Sequence, residues 1–184
     1  TEKHLGAPGL SLAELCEATV TISDNAAANL LLAQAGGPEG FTAFVRTLGD
    51  EVTRLDRIEP ELNESAPGDP RDTTTPDAML ASMRAVLLGE ALSAGVRRQL
   101  EDWLVATRTG DKRLRAGLPA DWRVGDKTGT SGNGIANDIA IARVPGRGVL
   151  LATAYLDAPA LEPAGRDAIL AEVGTIAAEF VAAA

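Results

Sequence analysis

The stretch Val124-Gly125-Asp126-Lys127-Thr128-Gly129-Thr130-Ser131-Gly132 joins β-branched residues to a lysine, hydroxyl side chains and glycines. We interpret it as an edge strand that lines a pocket for an anion. Lys127 contributes a compact ammonium, and Thr128 and Thr130 contribute hydroxyl donors. Gly129 lets a ligand lie close to the backbone because it has no side chain. This set of donors would suit a carboxylate.

Taken alone, Lys127-Thr128-Gly129 could be a solvated strand edge, but two further motifs precede it in the chain. They are Ser23-Asp24-Asn25 and Arg57-Ile58-Glu59-Pro60-Glu61-Leu62-Asn63. In this order the three motifs resemble the class A serine β-lactamases, a family with S-x-x-K, S-D-N and K-T-G elements. The resemblance extends over essentially the whole chain, from Thr1-Glu2-Lys3-His4-Leu5 to the final helix.

The resemblance implies roles for the residues of the first motif. The hydroxyl of Ser23 would relay a proton to the β-lactam nitrogen as the ring opens, and the charge of Lys127 would keep Ser23 poised. Asn25, with an amide donor and an acceptor, would hold a side-chain amide of the substrate. A purely structural alternative is that Ser23 caps the following helix. Asp24 is expected to bond backbone amides.

Glu59 is the residue that would separate a hydrolase from a mere acceptor of the acyl group. A carboxylate with Asn63 four residues later can hold one water, and that water can attack an acyl-enzyme ester. Arg57 and Asp72 bracket a loop of 16 residues, the upper size of an Ω-loop, and an ion pair between them would close it. The resemblance also implies a cis Glu59–Pro60 bond, whereas Glu61 and Glu64 are expected to be solvated.

Binding of the substrate carboxylate is assigned by resemblance to Lys127, Thr128 and Thr130, beside the open backbone of Gly129. The backbone N–H of Thr130 would also form half of the oxyanion hole. Many members of the family place an arginine where this chain has Ala136, and Arg113 is a candidate to replace it. Ser131 replaces a common glycine, a change that tends to widen the site for bulky oxyimino side chains.

The nucleophile of the family is missing from this sequence, because no serine has a lysine three residues later. The six serines are Ser11, Ser23, Ser65, Ser82, Ser93 and Ser131. By resemblance, Thr1 falls after the first strands and the nucleophile helix of the family, so we assign no nucleophile. An N-terminal segment of the same protein is therefore an expected partner, together with β-lactam antibiotics.

Bulk properties exclude several classes of function. The chain has 184 residues, enough for one domain, and a net charge of -9, which argues against nucleic acid or an anionic membrane surface as a partner. It has no apolar run long enough to span a bilayer, and Thr1-Glu2-Lys3-His4 has no hydrophobic segment of a signal peptide. A periplasmic or secreted location follows from the resemblance alone. With one His and Cys16 as the single cysteine, a metal site is not expected.

The pattern predicts an α+β fold: residues 1–120 form a mostly helical region with an Ω-type loop at 57–72, and residues 121–184 form a three-stranded antiparallel meander and a C-terminal helix. Predicted helices cover residues 12–22, 25–34, 38–48, 73–88, 93–107 and 162–182, and predicted strands cover 122–130, 135–143 and 148–156. The helix at 25–34 is apolar on nearly all faces and should be buried. Cys16 is expected to be a buried small hydrophobe, and Lys112-Arg113-Leu114-Arg115 is most simply interpreted as a solvated turn.

Three classes of function remain open at this point. The first is an enzyme, the C-terminal part of a class A β-lactamase that needs no metal or cofactor. The second is a penicillin-recognising transpeptidase or inactive binding module, against which the motif from Glu59 to Asn63 argues. In the third, the chain is a complementation fragment that works only with its N-terminal partner.

Overall fold

Strands with small or branched apolar residues at alternate positions form the sheet at the centre of the fold. The computed structural model describes residues 9–183, so Thr1-Glu2-Lys3-His4-Leu5 lies outside the described residues. The strands are β1 (Arg123–Thr130), β2 (Ile135–Val144) and β3 (Gly148–Asp157), antiparallel in the order β1-β2-β3. The predicted meander is confirmed, and β1 is an edge strand, as its sequence indicates.

One face of the sheet carries alanines that let two helices approach closely. Ala136, Ala140 and Ala154 pack with Leu114 of α6 (Leu114–Gly117) and Leu170 of α7 (Pro163–Ala183). A side chain on either Gly117 or Gly174 would overlap the backbone of the opposite helix. Close contact between α6 and α7 therefore fixes the position of α6 over the sheet.

Larger side chains cover the opposite face of the sheet. Ile141 of β2 packs with Met83 and Leu87 of α4 (Pro76–Leu87) and with Leu104 of α5 (Ala94–Val105). Thr75 and Ser93 accept hydrogen bonds at the first turns of these helices, as their sequences predict. With helices on both faces of an antiparallel sheet, the described chain has the predicted α+β fold.

Three helices precede the loop that contains Glu59, and one of them differs from the prediction. They are α1 (Leu12–Ile22), α2 (Asn25–Gln34) and α3 (Gly37–Thr47), and a capping box of Ser11 and Glu14 opens α1. Burial of α2 on all faces was wrong: Ala27 alone is buried in this helix, and Leu30 is 51% exposed. The reason is that contacts with α1, with α3 and, through Asn29, with the loop at Glu59 leave other positions of the helix exposed.

A buried carboxylate, Asp50, fixes the segment just before the loop that contains Glu59. Asp50 accepts hydrogen bonds from the amides of Val52 and Thr53, at N–O distances of 2.9 and 2.8 Å, and from the Ser82 hydroxyl at 2.9 Å. Burial opposes ionisation, but the bonds from Thr53, Val52 and Ser82 outweigh it and lower the pKa of Asp50 to about 2. Since Ser82 lies on α4, this carboxylate joins the start of the loop to the helix that follows it.

Two further predictions need correction. The basic segment at residues 112–115 is not a solvated turn, because Arg113 is 9% exposed and Leu114 is completely buried at the start of α6. Cys16 is half-buried rather than buried, and its thiol is free. Both differences concern burial, which depends on elements distant in the sequence. Such elements cover Arg113 and Leu114 and leave Cys16 partly exposed. Within residues 9–183, every helix is too short or too polar to cross a bilayer.

Candidate active site

The junction between α1 and α2 brings Ser23 to the lysine of β1. Ser23 ends α1 in the left-handed region, with φ 55°, and Asp24 caps α2 by accepting from the Ala27 amide at 2.9 Å. Capping by Ser23 is therefore wrong for this helix. Lys127 Nζ donates to Ser23 Oγ at 2.6 Å, which joins residues 104 positions apart. Asn25 is exposed at the first residue of α2, two positions after Ser23.

The ammonium of Lys127 is partly removed from water. Burial lowers its pKa below the ordinary value, against the opposing attraction of the Asp126, Glu59 and Asp138 carboxylates. Lys127 Nζ also donates to the carbonyl oxygen of Thr128 at 2.7 Å, which fixes the direction of the side chain. A partly desolvated cation of fixed direction attracts an anion more strongly than a mobile surface lysine does.

Two threonine hydroxyls follow the lysine on β1. Thr128 Oγ1 lies 2.8 Å from Thr109 Oγ1, and the exposed Thr130 carries its hydroxyl two residues further along. A methyl group on Gly129, which lies between them, would meet only Asn137 at ordinary contact distance. The space beside Gly129 is thus free for a ligand, as the sequence indicates.

Arg113 supports this strand from the side of α6. Its Nη1 donates to the carbonyl oxygens of Gly129 and Asn137 at 2.9 and 2.8 Å, and its Nη2 donates to Thr130 Oγ1 at 2.8 Å. Nε donates to Asp167 Oδ1 at 2.9 Å. Four of the five guanidinium N–H groups are therefore engaged within the protein. The geometry favours an action of Arg113 on a ligand through Thr130 more than by direct contact.

Glu59 and Asn63 face each other across one turn of the loop. Asn63 Nδ2 donates to Glu59 Oε2 at 2.6 Å, with Asn63 in the short 3₁₀-helix Glu61–Asn63, and the Glu59–Pro60 bond is cis as the resemblance implies. Asn29 of α2 holds the backbone of Glu59 on both sides, accepting from its N–H and donating to its C=O, both at 2.9 Å. Sequence reasoning missed Asn29, although its place four residues after Asn25 puts both side chains on one face of α2.

The ion pair predicted to close the loop is present. Arg57 Nε donates to Asp72 Oδ2 at 2.6 Å, and the amides of Asp56 and Arg57 donate to Asp72 Oδ1 at 2.7 and 2.9 Å. This interaction with Asp72 raises the pKa of Arg57. Arg57 also pairs with Glu64, so Glu64 is not merely solvated as expected. These contacts fix both ends of the segment that carries Glu59.

The loop and the β1–β2 turn are in contact beside a cavity. Ser65 Oγ lies 2.6 Å from Ser131 Oγ, and Asn133 donates to the carbonyl oxygen of Glu64. Beside these contacts is a cavity of about 490 Å³, and of the candidate residues its lining includes Asn63, Asp72, Gly129 and Thr130. Ser23, Glu59 and Lys127 do not line it. The cavity therefore adjoins the candidate site but does not coincide with it.

Two buried carboxyl groups lie under β1 and β2. Asp126 accepts from Arg115 Nε at 2.7 Å, and Asp138 accepts from the Leu114 amide at 3.1 Å; both side chains are completely buried. Burial, reinforced by the Asp126 carboxylate, raises the pKa of Asp138 to about 7. Asp126 ties α6 to β1, the strand that carries Lys127, and Asp138 ties the start of α6, next to Arg113, to β2.

The chain is similar to known proteins over most of its length. The profile of the β-lactamase enzyme family matches residues 3–181. Beta-lactamase FAR-1 of Nocardia farcinica is 60% identical over 134 residues, which cover 73% of this chain and 43% of that protein. Beta-lactamase L2 of Stenotrophomonas maltophilia is 50% identical over 182 residues, which cover 98% of this chain and 60% of that protein.

A solved structure of an ancestral (GNCA) class A β-lactamase superimposes with a TM-score of 0.95 at 64% identity, covering 97% of this chain and 68% of that one. The chain therefore belongs to the β-lactamase enzyme family, and the relatives it resembles in structure are of class A. It spans 43% of the length of FAR-1 and 60% of the length of L2.

Proposed function

We propose that the protein to which this chain contributes hydrolyses β-lactams through a serine acyl-enzyme. The observation that carries the proposal is the Lys127 ammonium, 2.6 Å from the Ser23 hydroxyl and followed on one strand by Thr128 and Thr130. The pair of Glu59 and Asn63 on the loop supplies the second half of the chemistry. The β-lactamases to which the chain is similar support the same activity.

Substrate binding uses the strand first. The substrate carboxylate lies against Lys127 and accepts hydrogen bonds from the hydroxyls of Thr128 and Thr130, while Gly129 leaves room for the rest of the molecule. Asn25 holds an amide of the substrate side chain. Charge-assisted hydrogen bonds of this kind are about twice as strong as neutral ones, so the carboxylate fixes the orientation of the ring.

Acylation forms one bond and breaks another. A serine of the N-terminal segment, from the family's S-x-x-K element, attacks the carbonyl carbon of the lactam, and the developing oxyanion accepts from the Thr130 backbone N–H. As the C–N bond breaks, the ring nitrogen takes a proton from Ser23, and the proton lost by the nucleophile replaces it. Lys127 steadies Ser23 in the orientation that the transfer requires.

Deacylation depends on Glu59. A water held between the Glu59 carboxylate and the Asn63 amide gives its proton to Glu59 as its oxygen bonds to the ester carbonyl carbon. The ester C–O bond then breaks, and the proton returns to the serine oxygen. All of these steps use protein groups and water, so the proposal needs no metal or cofactor.

The same proposal covers the partner and the location of the protein. The N-terminal segment, which supplies the nucleophile, is the partner of this chain, and β-lactam antibiotics are the substrates. The acidic net charge of -9 suits neither nucleic acid nor anionic lipid as a further partner. By resemblance to the family, the protein works in the periplasm or outside the cell, where such antibiotics arrive.

Turnover of nitrocefin tests the proposal. This chain is combined with the part of L2 that it does not match, and we call that sample the reconstituted enzyme. Nitrocefin turnover that disappears when Lys127 is replaced by alanine is the expected result. A folded reconstituted enzyme that never reacts contradicts the proposal, whereas one that is acylated once without turnover identifies a penicillin-binding module instead.

A further inference from the structure

Thr128 and Thr109 share one hydrogen bond between two hydroxyl groups. Their Oγ1 atoms are 2.8 Å apart, and each hydroxyl can donate only one proton while it can accept from others. If Thr128 donates to Thr109, the proton of Thr128 is used within the protein. Thr128 can donate to a bound anion only when Thr109 becomes the donor of the shared bond.

The backbone around Thr109 is fixed on both sides. The amide of Arg108 donates to the carbonyl oxygen of Thr21 at 3.0 Å, at the end of α1. On the other side, Gly110 is buried so closely against the Asp126 carboxylate that no side chain would fit there. The contact between Thr109 and Thr128 therefore follows from backbone packing and does not depend on a mobile side chain.

The side chain of Thr109 is exposed, although Gly110 next to it is buried. Its hydroxyl lies at the border between solvent and the strand, next to the position where an anion would meet Thr128. Removing the hydroxyl would leave the backbone contacts of Arg108 and Gly110 in place. A loss of function on its removal would consequently report on the hydroxyl and not on the fold.

Thr130, the other threonine of the strand, already has the arrangement that Thr128 requires. Thr130 Oγ1 accepts from Arg113 Nη2 at 2.8 Å, so its own proton is free for a ligand. Accepting a hydrogen bond also polarises a hydroxyl and strengthens the bond that it donates. Each threonine of the strand thus has one outside neighbour able to donate to it.

We propose that Thr109 is a positioning residue for the carboxylate site: its hydroxyl donates to Thr128 Oγ1 and so directs the Thr128 proton to the bound carboxylate. This inference rests on the proposed function, in which Thr128 binds the substrate carboxylate. In the free protein Thr128 donates to Thr109, and the bound anion reverses the shared bond so that Thr109 donates.

Acetate binding to the reconstituted enzyme tests the inference without catalysis. Acetate is titrated while the amide NMR signals of Thr128 and Thr130 are followed in Thr109→Val, which keeps the shape of threonine and lacks its hydroxyl. Binding should weaken about two- to tenfold, the range of one neutral hydrogen bond, and Thr109→Ser should restore it. Thr175→Val removes an exposed hydroxyl bonded to the Ala171 carbonyl oxygen within α7 and serves as the control.

Steady-state kinetics with benzylpenicillin give a second test, in which KM and kcat should respond differently. Thr109→Val should raise KM more than it lowers kcat, because the hydroxyl acts in substrate binding. Equal acetate binding by Thr109→Val and the unsubstituted protein overturns the inference. Absence of any acetate effect on Thr128 also overturns it, and nitrocefin turnover in that same sample shows whether the proposed hydrolysis stands.

Discussion

In the proposed function, Arg113 is a buried charge that acts on a ligand without touching it. Its guanidinium holds the backbone carbonyl oxygens of Gly129 and Asn137 and donates to the Thr130 hydroxyl. The position of a family arginine is occupied here by Ala136, which is buried and cannot pair with a carboxylate. In the proposed function, the charge that steadies the carboxylate site therefore comes from the segment before α6.

Replacing Arg113 by alanine should weaken recognition of the substrate carboxylate in the reconstituted enzyme. A hydrogen bond to a charged group contributes about 1.5 to 3 kcal/mol, so kcat/KM for penicillins should fall about ten- to a hundredfold. Steady-state kinetics measure the change. Arg71→Ala, which removes an exposed arginine paired with Asp69, is the control and should leave kcat/KM unchanged.

An unchanged kcat/KM in Arg113→Ala would leave the carboxylate to Lys127, Thr128 and Thr130. Because Arg113 is buried, the variant is first unfolded with urea at the assay temperature. The midpoint urea concentration should equal that of the unsubstituted reconstituted enzyme. A double variant with Thr130→Ala separates the two residues. If Arg113 acts through the Thr130 hydroxyl, the effects of the two substitutions should be less than additive.

Sequence motifs predict some of these residues better than others. Ser23, Glu59 and Lys127 could be proposed as site residues because each stands in a short motif whose chemistry needs that residue type. Arg113 was missed as a buried residue because a charge in a basic segment is most simply placed in solvent. Only the packing of α6 against α7, two elements far apart in the chain, shows that it is covered.

At the scale of elements, Arg57 and Asp72 fix the two ends of the loop of residues 57–72, and Asp50 fixes the segment just before it. These contacts place Glu59 without any regular secondary structure around it beyond one 3₁₀ turn. The boundaries of the loop followed from Arg57 and Asp72, which were predicted to form an ion pair across its ends. The contacts of this region with Asn29 and Ser82 did not, because those partners lie on α2 and α4.

Asp50 should make the stability of the folded protein depend on pH in the acid range. Its pKa is about 2 in the folded protein, below the ordinary 3.8, so the folded state favours the ionised form. The resulting stabilisation is complete above about pH 4 and is lost as the pH falls through 2, with an upper size of about 2 kcal/mol. Urea unfolding of the reconstituted enzyme between pH 2 and 5, compared with Asp50→Asn, measures it; an equal acid dependence in both proteins contradicts this role.

Asp138 should act in the opposite sense. Its pKa of about 7 in the folded protein lies above the ordinary 3.8, so the folded state holds a proton that the unfolded chain has already released. Stability should therefore decrease as the pH rises from about 4 to 7 and then remain level. The charged groups around it are Asp126, Lys127 and Arg113.

Asp138→Asn resembles the protonated acid at every pH and should remove this dependence. The variant is expected to be more stable than the unsubstituted reconstituted enzyme at pH 8 and similar to it at pH 4. Thermal unfolding at the two pH values makes the comparison. A variant that is less stable at pH 8 would show that Asp138 is ionised and needed as a carboxylate.

The whole chain leaves apolar surface uncovered. The outer edge of β3 has no partner strand among residues 9–183, and Ile176 and Phe180 on α7 are 58% and 75% exposed. Leu12 and Leu30 on the helical side are 61% and 51% exposed. Exposed strand edges and apolar helix faces favour association or loss of structure. Since the chain spans 60% of the length of L2, the remainder of such a protein is a suitable cover.

This chain alone should therefore be poorly folded and inactive. Urea unfolding should be broad, a dye for exposed apolar surface should bind, and nitrocefin should not be turned over. Mixing with the N-terminal segment should restore a cooperative transition. Cooperative unfolding together with nitrocefin hydrolysis by a sample verified by mass to contain only residues 1–184 would contradict this account.

The α+β fold could be predicted as a whole because the helical and strand periodicities are separated along the chain. Burial could not be predicted in the same way. The helix α2 has the composition of a core helix, yet its surroundings depend on which other segments lie beside it. Periodicity reports the face that a residue occupies, whereas exposure depends on partners that the residue pattern does not name.

Glu59 carries the central claim, which is that this loop hydrolyses the acyl-enzyme. In the reconstituted enzyme, Glu59→Ala should slow hydrolysis of the acyl-enzyme far more than its formation. General base catalysis of this kind contributes about 10² to 10⁴-fold. Glu61→Ala, two residues away and exposed, is the matched control and should retain normal turnover.

Mass spectrometry after mixing with benzylpenicillin measures this directly. For Glu59→Ala we expect the polypeptide that carries the nucleophile to be heavier by one drug mass for minutes or longer, while Glu61→Ala shows no lasting adduct. Normal steady-state turnover by Glu59→Ala, with no accumulation of adduct, would contradict the assignment of Glu59 as the base for deacylation.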